Sequence, residues 1–381
     1  MPDPEALLCA ILRDEHPAWP ADADAVFANA LIERGGFHGV LPLIHGKIVA
    51  GKRTDWPASM IEQCRQQAIS HAMWELRHRT LLDEVFARLA DVDIVPVVFK
   101  GTALAYTLYP QAALRTRGDT DLIIPEQAKA ALAESLAGLG FEREHGVSGE
   151  SISYEASFTH SEPGSGTHTL DVHWRINNSE LLSKLFTHAE LLATAQGLPG
   201  LGEHARGASP VFALLIACMH RATHKHNPYY VNGVAYYSGD RLIWLYDIHL
   251  LAGMFSGEQW TEFVRLAEKK GLCAVCLEGL ERTAAAFHTD YPKTVRTLLS
   301  RPGNSERVAR YFAGGVLRQQ WMNFCAIPGI SRKLRFISQT LFPPADYMRV
   351  KYPEGGWLPV LYLRRAVGGL AKRILNPGRA S

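Results

Sequence analysis

The sequence predicts an α/β unit set between two helical segments. Three observations carry this: short β-branched apolar runs are confined to residues 94–174, apolar residues recur at helical spacing on either side, and Gly or Pro marks the transitions. The chain has 381 residues, too many for one ordinary core. The divisions expected are a helical N-terminal region over 1–90, an α/β core over 91–205 and a helical C-terminal domain over 206–381.

Taking the elements in order, Ala6–Leu12 and Ala25–Leu31 show the helical period, and Gly35-Gly36 and Trp56-Pro57 punctuate them. Residues 60–89 form a long amphipathic stretch with Ile61, Ile69, Met73, Leu76, Leu81, Val85 and Leu89. Residues 94–99, Ile-Val-Pro-Val-Val-Phe, then read as a buried strand. Lys100-Gly101-Thr102 breaks that run, and Ala103–Tyr109 reads as a helix ended by Pro110. A second buried strand is expected at Leu122-Ile123-Ile124. Pro125 opens a helix over Glu126–Leu139 that Gly140 closes. Ser151–Thr159 and Thr169–Trp174 read as two further strands joined through the turn-rich residues 161–166. Beyond Pro210 the helical period returns in Val211–His224, Arg241–Phe255, Trp260–Lys270 and Cys273–Phe287. The aromatic, Gly-containing stretch 229–239 is expected to be an ordered loop.

Composition narrows the function classes. Hydrophobic residues make up 47% and charged residues 20%, the balance of a folded soluble protein. With 40 Lys+Arg against 38 Asp+Glu, a formal charge of +2 supplies no sequence-independent attraction to nucleic acid. The longest apolar run, Val211–Met219, falls well short of the ~20 residues of a bilayer span, so no transmembrane segment is expected. Six scattered cysteines and the polar opening residues suit a reducing compartment, and a cytoplasmic location is expected.

The chemistry concentrates at Lys100-Gly101-Thr102 and at the run Arg115-Thr116-Arg117-Gly118-Asp119-Thr120-Asp121. Residues two apart on a strand share a face, so Asp119 and Asp121 present both carboxylates to one site. Such neighbours repel unless a cation intervenes, and hard oxygen donors select Mg²⁺. Gly101 lets backbone approach a phosphate, and the start of the next helix, with the Thr102 hydroxyl, offers hydrogen bonds to it. Arg115 and Arg117 are candidate triphosphate contacts. A lone Asp-x-Asp is commonly a turn or cap, but here it follows a strand–Gly–helix unit and leads into a buried strand.

At these residues the sequence resembles the DNA polymerase β superfamily of nucleotidyltransferases. Lys100-Gly101-x-x-Leu104, Leu108-Tyr109-Pro110, Arg115 and Gly118-Asp119-x-Asp121-Leu122 are similar in particular to a bacterial family of uncharacterised nucleotidyltransferases. Leu170-Asp171-Val172-His173-Trp174 looks like that family's later strand. His220, Trp244-x-x-Asp247 and Phe342-Pro343-Pro344 with Tyr347 are looser likenesses. Thr102 stands where that superfamily usually has Gly or Ser. The resemblance implies a polymerase β-type core and Mg²⁺ (or Mn²⁺) held by Asp119, Asp121 and Asp171. It also implies nucleotide contacts from Lys100, Gly101, Thr102, Arg115 and Arg117, with His173 as an accessory. The expected substrates are an NTP, in the first instance ATP, and an unidentified small-molecule, peptide or protein acceptor. Two alternatives share the fold: an NTP-binding or partner module without turnover, and transfer of a phosphoryl or sugar group.

Other clusters carry less. His220 and His224 lie one helical turn apart with His226 beyond, yet Arg221 stands where a zinc protease has Glu. Cys273 and Cys276 lack a second pair and read as buried thiols. Residues 360–374 combine an apolar period with Arg364, Arg365, Lys372 and Arg373, a pattern expected to pack on the helical domain and able to lie on a membrane.

Overall fold

In the computed structural model the residues described are 3–53, 55–144, 152–162, 166–226, 229–231, 234–236, 239–301 and 307–375. The chain opens with helices α1 (Pro4–Leu12), α2 (Ala25–His38), α3 (Leu41–Ala50) and the long α4 (Ala58–Ala90). Asp24 caps α2 by accepting from the Phe27 amide, and Gly39, at φ +70°, ends it in the left-handed conformation.

The sheet region follows: β1 (Val97–Phe99), α5 (Gly101–Leu108), β2 (Asp119–Ile123), α6 (Lys129–Gly138), β3 (Glu142–Arg143), β4 (Glu155–Glu162), β5 (Gly166–His173), α7 (His188–Ala193), β6 (Gln196–Gly197) and β7 (Arg206–Gly207). Among the described residues these seven strands form one sheet in the order β3-β4-β5-β2-β1-β7-β6. The β1/β2 and β4/β5 pairs are antiparallel, whereas β2/β5 is parallel, with Asp121 opposite Asp171 and Ile123 opposite His173. The first strand is shorter than expected. Val95 is 43% exposed and pairing begins only at Val97. Residues 151 and 163–165, which the expected hairpin included, lie outside the described residues.

The helical remainder comprises α8 (Pro210–His226), a hairpin β8 (Tyr229–Val231) and β9 (Val234–Tyr236), then α9 (Leu242–Gly253), α10 (Gly257–Lys270), α11 (Cys273–Phe287), α12 (Lys293–Leu299), α13 (Arg307–Phe312), α14 (Val316–Ala326), α15 (Ile330–Leu341), α16 (Ala345–Lys351) and α17 (Leu358–Leu375). Within the stretch expected as a loop at 229–239, residues 229–231 and 234–236 therefore form a two-stranded ladder, with Tyr229 opposite Tyr236 and Val231 opposite Val234. The aromatic and β-branched residues suit paired strands, and the Asn-Gly dipeptide at 232–233 of the sequence is one that favours a hairpin.

Strand alternation divides the sheet's faces. Val98, Leu122, Leu170 and Val172 pack against Leu82, Val85 and Phe86 of α4 and Leu132 and Leu136 of α6. On the opposite face Val97, Phe99 and Ile123 join a core with Phe212, Leu215 and Met219 of α8. The N-terminal helices share a third cluster with Leu242–Tyr246 of α9. No helix among the described residues is long and apolar enough to cross a membrane.

Candidate functional site

A cavity of about 990 Å³ opens over the second face of the sheet, between the strand ends and α8. Lys100, Gly101, Asp119, Asp121, Asp171 and His173 line the sheet side, and His220, His224, Arg241 and Trp244 line the helical side. The period of two explains the gathering: Asp119 and Asp121 point the same way from β2, as do Asp171 and His173 from β5. Parallel register then sets Asp121 directly beside Asp171.

Asp121 is buried and well partnered. Lys100 Nζ donates to its Oδ1 at 2.6 Å, and His173 Nε2 lies 3.0 Å from the same oxygen. The other ring nitrogen of His173 is 3.1 Å from Glu155 Oε2, which sets a carboxylate beside the imidazole without a formed hydrogen bond. Burial alone would raise the pKa of Asp121, but Lys100 and His173 together hold it well below the usual carboxylate range.

Its two neighbours differ. Asp119 is enclosed by protein mass yet open to the cavity; this burial and then the charge of Asp121 raise its pKa. Asp171 accepts from Ser157 Oγ at 2.5 Å, but burial followed by Asp121 and Asp119 push its pKa up to about 7. Repulsion expected between Asp119 and Asp121 thus falls mainly on Asp119 and Asp171, because Lys100 and the hydrogen bond from His173 keep Asp121 in its charged form. Among the described residues no three His, Cys, Asp or Glu side chains are drawn into a preformed metal cage.

Lys100 sits at the turn from β1 into α5 with φ +57° and ψ −138°, a conformation that costs a side-chain-bearing residue on the order of 1–3 kcal/mol. Its ammonium is fixed on Asp121, which in turn raises the lysine's pKa against the effect of burial. The next residue must be small. An ideal Cβ on Gly101 would lie 2.9 Å from Arg115 Nη1.

Thr102 departs from the sequence reading. It is 1% exposed; its hydroxyl lies 2.7 Å from Thr120 Oγ1 and accepts from Arg117 Nε at 2.9 Å. Thr120 lies on the sheet's far face, 2.7 Å from His78 Nε2, so the Thr102 side chain braces the turn rather than facing the cavity.

Both arginines border the cavity but are committed to carboxylates the sequence reading missed. Arg115 Nη2 donates to Asp247 Oδ2 at 2.6 Å, and Tyr109 OH donates to Asp247 Oδ1 at 2.7 Å. Arg117 Nη2 donates to buried Glu75 of α4 at 2.7 Å, where Tyr106 OH also donates. Trp244-x-x-Asp247 carried a legible hint of the first pair, since both residues fall on one face of a helix. Glu75 had no comparable signal within its long amphipathic helix. The roles of Glu155 and Ser157 depend on β4/β5 register, which spacing alone does not convey.

His220 and His224 stack edge-to-face on each other at 4.4 Å, with His220 edge-on to Trp244 at 5.2 Å. Burial, then His224 and Lys100, lower the pKa of His220 well below its ordinary value, and burial followed by Lys100 brings that of His224 to about 4. The side chain of His226 lies outside the described residues. Arg221, in the place of a protease's glutamate, is buried and paired with Asp240 at 2.7 Å. Cys273 and Cys276 are buried in the helical core, as expected of packing thiols.

A family model described as "Uncharacterised nucleotidyltransferase" matches residues 26–288. No curated protein matches the chain. The matched span covers well over half of the sequence and holds the sheet and the carboxylates, and the chain belongs to that family of transferases.

Proposed function

We propose that this member of the uncharacterised nucleotidyltransferase family moves a nucleoside monophosphate from an NTP, ATP in the first instance, to a hydroxyl of a small molecule, peptide or protein, releasing pyrophosphate. The catalytic unit is a polymerase β-type core over 91–205. The observation that carries this reading is the in-register pair Asp121–Asp171, with Asp119 on the same face, beside the positive-φ turn that starts α5.

Each residue has a role in this reading. The triphosphate lies along the turn, where the first backbone amides of α5 and Lys100 meet its charge. Gly101 keeps the turn free of side-chain bulk. Arg115 and Arg117, locked on Asp247 and Glu75, add fixed positive potential to the wall. Hard carboxylate oxygens gathered at one cavity wall fit Mg²⁺ or Mn²⁺, with Asp119, Asp121 and Asp171 as the holding groups. Such an ion supplies neutralisation of charge on the triphosphate oxygens. Asp171, held by Ser157, is placed to receive the acceptor's proton, while His173, with Glu155 beside its ring, fixes the orientation of Asp121. The acceptor occupies the part of the cavity between the carboxylates and His220, His224 and Trp244. Rate enhancement comes from positioning and charge neutralisation.

A second reading, an NTP-binding module without turnover, is favoured by the engaged state of Asp121 and the internal commitment of the Thr102 hydroxyl. Transfer of a phosphoryl or sugar group through the same cavity is a third. Incubation with each NTP, Mg²⁺ and an acceptor panel, read by mass, separates them. A product heavier by one NMP supports the proposal. A product heavier by phosphate, or by a sugar when a nucleotide-sugar donor replaces the NTP, supports the third reading, and NTP binding with no product supports the second.

A further inference from the structure

Helix α15 is turned the wrong way for a helix that belongs to a protein core. Its apolar residues Ile330, Leu334, Ile337 and Leu341 follow the period of one helical stripe, yet they are 78%, 61%, 40% and 51% exposed. Its partly covered positions are instead Lys333, Phe336 and Gln339. At ~100° per residue the centre of the apolar stripe lies about 130° around the helix from that packed side. Phe336 and Thr340 border the cavity, so the helix stands between the cavity and the outside, with its apolar stripe directed away.

Charge indicates what that stripe meets. Between residues 316 and 375 the chain has ten Lys and Arg against two acids, Asp346 and Glu354, although the whole chain carries only +2. Arg332, Lys333 and Arg335 lie within α15, which has no acidic residue. The same segment also exposes Leu317 and Trp321 of α14, Trp357 before α17 and Phe342 after α15. Apolar side chains spread over several elements among Lys and Arg match an extended apolar surface with anionic rims better than one peptide-sized groove.

We infer that α15 docks the protein on an anionic lipid bilayer, with Ile330, Leu334, Ile337 and Leu341 entering the headgroup boundary and the net positive charge of residues 316–375, Arg332 and Arg335 included, drawing the segment to lipid phosphates. The full chain should co-sediment with vesicles of three parts phosphatidylcholine to one part phosphatidylglycerol, and at least tenfold more weakly with phosphatidylcholine alone. Paired Leu334→Gln and Ile337→Gln should lower partitioning at least tenfold. Paired Arg332→Gln and Arg335→Gln should lower it by roughly fivefold per side chain, an effect that disappears in high salt. All four residues are exposed, so circular dichroism and melting should match the parent. Failure of the parent to bind anionic vesicles, equal binding to neutral ones, or binding indifferent to both paired variants would overturn the inference. A dimer in light scattering that Leu334→Gln with Ile337→Gln disperses would overturn it too, assigning the stripe to a second copy.

Discussion

Replacing Asp171 by Asn should stabilise the protein at neutral and alkaline pH, and the size of the effect follows from the cavity wall. Asp171 lies in register with Asp121 and shares that wall with Asp119. Burial and these two charges raise its pKa from 3.8 to about 7. A carboxyl raised in the folded state binds its proton more tightly there than in the unfolded chain. Below about pH 4 both states are protonated and the side chain has no effect. From pH 4 to 7 folding requires proton uptake, so the penalty grows with pH, and it levels off above 7. The full rise corresponds to a ceiling of roughly 4 kcal/mol. Opening onto the cavity screens the charge and leaves on the order of 1–3 kcal/mol. Asn removes the charge and keeps an oxygen to accept from Ser157, so the native contact survives. At about 2 cal/mol/K per residue, a chain this long gains roughly 1 °C in Tm per kcal/mol. Calorimetry from pH 4.5 to 8.5 should show the variant melting about 1–3 °C above the parent at pH 8, with the gap closing toward acid. Parallel melting curves across that range, or a variant less stable at pH 8, would refute the reasoning.

Asp121→Asn should act in the opposite direction on stability, because Lys100 and His173 lose a charged partner; the depressed pKa of Asp121 makes its contribution present above about pH 4 and lost in stronger acid. The same variant should lower NTP turnover about a thousandfold, equivalent to ~4 kcal/mol of transition-state stabilisation, measured by steady-state kinetics. Asp247→Asn should destabilise the fold by about 3–5 kcal/mol in chemical denaturation, since buried Arg115 would be left without a carboxylate. Adding Mg²⁺ at pH 8 should raise the parent's Tm by differential scanning fluorimetry, and raise that of Asp171→Asn by less. Cys276→Ser should cost ~1–3 kcal/mol in stability by burying a hydroxyl in the helical core, with kcat unchanged.

Elements with strong local patterns were legible in the sequence. Leu122–Ile124 and Thr169–Trp174 were readable from apolar and alternating runs, and α10 and α11 from their period. The two-residue strands β3, β6 and β7 were not, because so short a segment acquires its ladder only from neighbours already in place. The ladder of 229–231 with 234–236 was signalled by Asn-Gly at 232–233 between two aromatic and β-branched runs, a signal the loop expectation did not use. In α15 the apolar period could be read, but its outward direction belongs to tertiary packing. That Asp119 and Asp121 share a face followed from their spacing, Asp171 was pointed to by the family resemblance, and the parallel register that sets Asp171 beside Asp121 on the same cavity lining was not legible. By contrast, the carboxylates that hold Arg115 and Arg117 lie 132 and 42 residues away in the chain; Trp244-x-x-Asp247 hints at the first, and nothing local points to Glu75. Thr102 shows the limit most plainly: its hydroxyl looks ready for phosphate in sequence, yet Thr120 and Arg117 occupy it.

The central claim is that the α-phosphorus of the nucleotide is the atom transferred at the Asp119–Asp121–Asp171 wall. Parallel incubations with ATP labelled at the α- or the γ-phosphate, with Mg²⁺ and the acceptor panel, test it directly. The account predicts α-label in the acceptor product and γ-label in pyrophosphate, with both signals lost in Asp121→Asn. Recovery of γ-label on the acceptor, or of α-label transfer undiminished in Asp121→Asn, would contradict it.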